Sequence, residues 1–329
     1  MSLFRIINLS RSIYKEIRIQ KKFNAQFLIP FLSELEIKHA GQFSQEQRSK
    51  IIDYYGMFIT SFLCSSYKKL YGGKLNEAER KRATLFGILT PVGDDLFDID
   101  KLDHGSIKKI TFEPDQYIAN TFSAKVTKEI QSFLLKDVPH LSAYKTAAQA
   151  VLDIQIETAE QTNPQISKET LERITYKKGA VSVIIYYQIL EQTADEKMLL
   201  ALEEIGGLFQ LGNDIFDLYK DVRDGIYTLV NTCPDYTIFK EHFIKKVAAQ
   251  NRAIMNLPCT QNAKKDFCFV MNIINARSMV AIDQLIQKQT QHGKNIQWDQ
   301  LDRKEMICDM EKPLNIIRWL KYMWKMPKY

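Results

Sequence analysis

The sequence predicts an all-α protein, and three observations carry that expectation. Apolar residues recur at helical spacing through most of the chain. Period-two alternation with β-branched enrichment is scarce. Helix-starting and helix-breaking residues fall between the periodic runs. Windows 45–71, 77–98, 143–161, 168–190, 194–222, 236–255 and 262–290 fit helical periodicity. Ser44 with Gln47, Asn76 with Glu79, and Thr193 with Glu196 read as capping boxes that open three of them. Gly72-Gly73, Asn163-Pro164, Gly225, Cys233-Pro234 and Leu257-Pro258 punctuate the runs. Pro91 and Gly93 predict a kink or an end in the 77–98 helix. The simplest architecture is one domain spanning 1–329, a bundle of about ten helices. Its parts are basic N-terminal helices over 1–43, a central bundle over 44–255 and C-terminal helices over 256–329.

Composition narrows the function classes. At 329 residues and 45% hydrophobic, the chain can bury a sizeable core. No apolar run approaches the roughly 18 residues of a membrane span; Ala180 to Leu190, "AVSVIIYYQIL", is too short. The N-terminus lacks an apolar segment with a cleavage site, so no signal peptide is expected. Cys64, Cys233, Cys259, Cys268 and Cys308 have no paired spacing and read as buried thiols of a reducing cytoplasm. The net charge of +6 is unevenly placed. Residues 1–22 carry six basic residues against Glu16 alone, and 312–329 carry five with no acid, so the middle is net negative. That distribution argues against a nucleic-acid partner. The basic, aromatic ends suggest a phosphate-bearing partner or peripheral contact with a membrane surface, with solvated helix faces as the alternative. A homodimer is left open.

Two acidic stretches break the apolar pattern. Gly206 to Gly225 reads "GGLFQLGNDIFDLYKDVRDG". On a single helix, Asn213, Asp217 and Asp221 recur every four residues and form one stripe, with Asp214 beside it and Phe209, Ile215, Phe216 and Leu218 around it. Unpaired carboxylates in such surroundings cost several kcal/mol each or protonate. Basic neighbours such as Lys220 and Arg223 would offset that cost, and so would a hard cation, for which carboxylate and amide oxygens are suitable ligands. Leu85 to Asp100 reads "LFGILTPVGDDLFDID". Asp94 and Asp98 share a helix face and Asp95 lies to one side. Acids are unfavourable at a helix C-terminus, so a purely structural reading leaves them unexplained. The 119 positions between Asp94 and Asn213 leave room for helices that let the two sets face one another.

These residues resemble the class I isoprenoid (terpenoid) synthase superfamily over about residues 80–232. Its DDxxD signature appears as Asp94-Asp95-Leu96-Phe97-Asp98. The second signature appears as "FQLGNDIFDLYKD", similar to the FQxxDDxxD of trans-prenyltransferases with Asn213 for the first Asp. It is also similar to the NDxxSxxxE of terpene cyclases and, as Asp94/Asp98 and Asp217/Asp221, to the DxxxD of squalene and phytoene synthases. The resemblance implies a helical bundle around a central apolar cavity. It implies three Mg²⁺ held by Asp94, Asp95, Asp98, Asn213, Asp214, Asp217 and Asp221, with Asp94, Asp98, Asn213, Asp217 and Asp221 as the catalytic set. An allylic prenyl diphosphate is the implied substrate. Lys177 and Lys178 fall where prenyltransferases carry a diphosphate-binding Lys-Thr pair, and Arg223 and Tyr227 are further diphosphate donors. Gly179 beside them is read as a point where a helix could bend and let backbone approach a substrate. Phe86, Phe97, Tyr186, Tyr187, Phe209 and Phe216 are candidates for an aromatic wall, or for plain core.

The pattern departs from chain-elongating prenyltransferases, because no Arg pair follows Asp98. The expected reaction therefore leans to terpene-cyclase chemistry. A prenyl-coupling transferase is the near alternative, and a non-catalytic helical protein that binds lipid or a partner is the alternative of another class.

Overall fold

The computed structural model describes residues 3–294 and 296–326. Among them every regular element is helical and there is no strand, so the fold is all-α. Lys328, the last residue of the basic C-terminal run, lies outside the described residues. Backbone contacts gather the chain into two compact units, residues 1–149 with 185–193 and residues 150–184 with 194–329. The divisions read from the sequence at 43 and 255 both fall inside these units.

The first unit begins with α1 (Leu3–Phe23), a π turn at Asn24–Leu28, and α2 (Ile29–His39). A long helical rod over 45–70 follows, made of α3 (Gln45–Ser49), a π-helical stretch Lys50–Cys64 and α4 (Ser65–Leu70). Then come α5 (Glu77–Asp98), α6 (His104–Phe112) and α7 (Phe122–Asp137). Capping boxes start two of these helices, as the sequence predicts. Ser44 Oγ accepts from Gln47 N at 3.1 Å while Gln47 Oε1 accepts from Ser44 N at 2.9 Å. Asn76 and Glu79 make the same exchange at 2.8 and 3.1 Å.

Helix α5 packs on the π-helical stretch and on α7. Of the kink or end expected at Pro91 and Gly93, the end does not occur: the helix continues through both residues to Asp98. Ile88, Leu89, Pro91 and Val92 are all buried, and burial of that face outweighs the hydrogen bond that proline forfeits. The first half of α5 buries charge as well. Glu79 receives Lys68 Nζ at 2.7 Å, Arg80 reaches Glu16 at 3.2 Å and Gln20 at 2.6 Å, and Arg82 donates to the Ile189 carbonyl at 2.7 Å. Paired in this way, buried ions escape most of the cost of desolvation.

Helices α8 (Leu141–Glu157) and α9 (Lys168–Gln188) each give residues to both units. The second unit continues with α10 (Glu196–Phe216), α11 (Leu218–Arg223), α12 (Tyr236–Met255), α13 (Gln261–His292), α14 (Arg303–Met306) and α15 (Pro313–Lys325). Leu208, Leu211, Ile215 and Leu218 meet Phe239, Phe243, Met279 and Ile282 in its core. Helices α12 and α13 pack on one another across the turn at 256–260, so the chain does not divide there. Thr193 does not cap α10, contrary to the sequence reading. Asp195 does, accepting from Met198 N at 2.8 Å, because its carboxylate sits one position before the first helical residue. Each of the five cysteines is a free thiol, and Cys64 and Cys268 are fully buried. No helix among the described residues is long and apolar enough to cross a membrane.

Candidate functional site

In the second unit, one close helix contact positions the acidic stretch. A Cβ placed on Gly179 of α9 would overlap the Gly206 carbonyl of α10, and one on Gly206 would overlap the Gly179 carbonyl. Backbone therefore meets backbone where neither residue has a side chain. The sequence reading took Gly179 as a bend that admits a substrate; the structure instead fills its space with α10, and α9 continues through it. This contact brings Thr175 of α9 to Asp214 of α10, with Thr175 Oγ1 donating to Asp214 Oδ2 at 3.3 Å. Gln210, one turn earlier on α10, donates to Asp214 Oδ1 at 2.7 Å.

The predicted single helix over this stretch is two. Helix α10 ends at Phe216, Asp217 takes a non-helical conformation, and α11 begins at Leu218. The four-residue ladder survives the break, with Asp217 N donating to Asn213 O at 2.8 Å and Asp221 N to Asp217 O at 2.9 Å. Asn213 is exposed, Asp217 and Asp221 are half-buried, and Asp214 is buried. Asn213 Nδ2 donates to Asp217 Oδ2 at 3.0 Å.

Electrostatics separate these acids. Burial pushes the Asp214 carboxyl up to about 6, against the opposing pull of Gln210, Lys178 and Thr175. Burial, together with the like charges of Asp214 and Asp217, pushes Asp221 up to about 7, while Lys220 and Lys178 pull it down. Burial is the larger cause at both, and at Asp221 the neighbouring carboxylates add to it. Lys178 acts on both Asp214 and Asp221. Lys177 is turned to other work: its Nζ donates to Glu157 at 2.6 Å, and Arg173 pairs with the same carboxylate. Arg223 is exposed and pairs with Asp224 at 2.8 Å. Tyr227 is half-buried, its backbone held to Gln161 by bonds of 2.7 and 2.9 Å. Phe216 lies under the Arg277 guanidinium, 5.1 Å from ring centre to cation.

In the first unit, Asp94 and Asp98 are exposed near the end of α5, and Asp95 is half-buried. Asp95 accepts from Gln47 Nε2 at 2.6 Å and from Ser123 Oγ at 3.3 Å. Phe86 and Tyr186 stack edge to face at 4.9 Å, and Tyr187 meets Tyr67 at 5.3 Å; all four rings are buried core.

Sequence reasoning missed Thr175, Gln47 and Ser123. Thr175 carries a signal, because it sits three residues before Lys178 and so shares its helix face. For Gln47 and Ser123 the sequence offers none. Among the described residues no three His, Cys, Asp or Glu side chains converge as a metal cluster. Mg²⁺ does not require one, since it commonly binds through one or two carboxylates, with substrate phosphates and water completing its shell. The donors of the second unit, carboxylate and amide oxygens, fit such an ion. Comparison with protein families, with curated proteins and with solved structures finds no match to this chain.

Proposed function

We propose that this protein is an Mg²⁺-dependent class I isoprenoid synthase that ionises an allylic prenyl diphosphate, with chemistry of the terpene-cyclase type. The observation that carries the reading is the group formed by Asp214, Asp217 and Asp221, in which burial, with like charge added at Asp221, raises the Asp214 and Asp221 carboxyls despite Lys178 and Lys220. Asn213, Asp217 and Asp221 would hold the ion in this unit, and Asp94, Asp95 and Asp98 supply the carboxylates of the other signature. Bound Mg²⁺ supplies charge neutralisation for a diphosphate leaving group.

The chain's own residues do the rest. Asp214, fixed by Gln210 and Thr175, anchors the acidic group where α9 and α10 touch. Lys178 adds a mobile cation suited to a diphosphate oxygen. In the reaction the allylic C–O bond breaks, its electron pair leaves with diphosphate, a double bond of the same substrate closes on the cation, and a proton is lost. Aromatic faces stabilise such cations where water is excluded.

The test is incubation with labelled farnesyl or geranylgeranyl diphosphate and Mg²⁺, without isopentenyl diphosphate. Labelled hydrocarbon and free pyrophosphate are expected. Product formed only when isopentenyl diphosphate is added would move the assignment to a coupling transferase. No turnover, with pyrophosphate binding unchanged in Asp217→Ala, would favour the non-catalytic alternative. Lys178→Gln is expected to raise KM for the diphosphate, whereas Lys177→Gln leaves it unchanged.

A further inference from the structure

Helix α15 has two faces of opposite character. Its inner face is pinned to the second unit by polar contacts. Trp319 Nε1 donates to the Ile273 carbonyl at 2.8 Å, Tyr322 Oη donates to Asp283 Oδ2 at 2.7 Å, and Lys240 Nζ reaches both Asp283 and Tyr322. Asn315 is buried and donates to the Asp309 carbonyl at 2.8 Å. Four contacts over two turns hold the helix in one rotation about its axis.

That rotation turns a large apolar surface outward. Ile316, Leu320 and Trp324 recur every four residues as one row, and Leu314 and Ile317 form the row beside it. Leu314 is 69% exposed, Ile317 61% and Trp324 54%, in a helix that could have buried them. Five large apolar side chains on about three turns exceed the scattered exposure that surfaces tolerate without cause. The next row is basic. Lys321 and Lys325 continue the line of Ile317, Arg318 lies beside Leu314, and no acid occurs anywhere in α15.

We propose that the outer face of α15 docks on the surface of an anionic phospholipid bilayer. An apolar ridge carrying a tryptophan, edged by cations and free of acids, matches the boundary between acyl chains and negative headgroups. Long lysine stems let their ammonium groups reach headgroup phosphates while Trp324 and Ile317 enter below them. A second copy of the chain fits less well, because pairing two such faces sets cation against cation with no acid to answer it. This inference stands apart from the proposed catalysis, and its test reads lipid binding without substrate.

The full chain is sedimented with vesicles of phosphatidylcholine alone and of phosphatidylcholine mixed with phosphatidylglycerol. Binding to the anionic vesicles only, weakened by salt, is expected. Ile317→Ser with Trp324→Ser should lower partitioning by more than about tenfold. Arg318→Gln, Lys321→Gln and Lys325→Gln should each lower it about fivefold. Trp298 is buried and Trp319 half-buried, so a blue shift on binding reports Trp324. Trp324→Phe should keep the binding and lose the shift. Circular dichroism confirms that these surface variants fold. Equal binding to neutral vesicles, binding unchanged in the triple charge variant, or absence of binding overturns the proposal. So does a dimer in sedimentation velocity that Trp324→Ser dissolves, which would make the face an interface between copies.

Discussion

The two acidic stretches look alike as sequence and differ as structure. The first follows an apolar run on α5 and leaves Asp94 and Asp98 exposed, while Asp95 is half-buried and bonded to Gln47 and Ser123. The second straddles the α10–α11 break, buries Asp214 between Gln210 and Thr175, and sets Asp221 in the field of two other carboxylates. Glycines that precede them on the same helices differ in the same sense. Gly93, next to Asp94, has open space where a Cβ would go, while Gly206 is pressed against Gly179. Acids paired four residues apart can thus end a helix in solvent or lie against a neighbouring helix. What decides is the packing of the residues just before them.

Four experiments would break or sharpen this contrast. The largest effect is on turnover. Asp217→Ala and Asp98→Ala should each lower kcat/KM for an allylic diphosphate by on the order of 10²–10³-fold, with melting temperatures near wild type. Asp214→Ala should also lose stability, by about 1–3 kcal/mol, because Gln210 and Thr175 are left without their acceptor. Steady-state kinetics with thermal melts separates the two behaviours; equal stability loss at Asp98 and Asp214 would erase the contrast.

Next comes Gly179→Val, which should destabilise by about 3 kcal/mol through overlap with α10. Gly93→Ala, by the same urea titration, should be neutral or stabilise by about 0.5–1 kcal/mol. A tolerated valine at 179 would mean that the helices separate there.

Caps give smaller changes. Asp195→Ala should cost about 1 kcal/mol, as should Asn76→Ala for α5, while Thr193→Ala costs little. Chemical denaturation of the three variants in parallel checks this.

The smallest effect depends on pH. The Arg48 hydrogen bond holds the Glu36 carboxyl below its ordinary value, assisted by Phe43 N, despite some burial. A depressed folded pKa contributes stability that is full above the unfolded value of about 4.3 and lost as pH falls through the folded value. Glu36→Gln should therefore lower the melting temperature at neutral pH, by less than about 1 kcal/mol in stability terms, and leave it unchanged in strong acid. An equal loss at both pH values would assign the effect to packing.

Much of the fold was legible because helices are written locally. Periodicity and the Asn76 cap place 77–98 and 236–255 as they stand, since both signals act within a few residues. Pro91 does not end α5, because its effect is local while the burial that holds the helix together is not. Thr193 misled because the backbone path places the cap two positions later, at Asp195. The acidic residues were legible as a pattern, and the sequence kept both Lys177 and Lys178 as candidates, whereas in the structure Lys177 pairs with Glu157.

By itself the sequence determined the helical class, the spans of the principal helices and the four-residue rhythm of the acids, all consequences of interactions within one turn. Tertiary structure alone decided which carboxylate is buried, which lysine acts on it and which side of α15 faces out. Those choices rest on contacts such as Thr175 with Asp214 and Gln47 with Asp95, whose partners are 39 and 48 positions apart. Pairings over such distances follow from how helix surfaces fit together, and a linear pattern does not carry that fit.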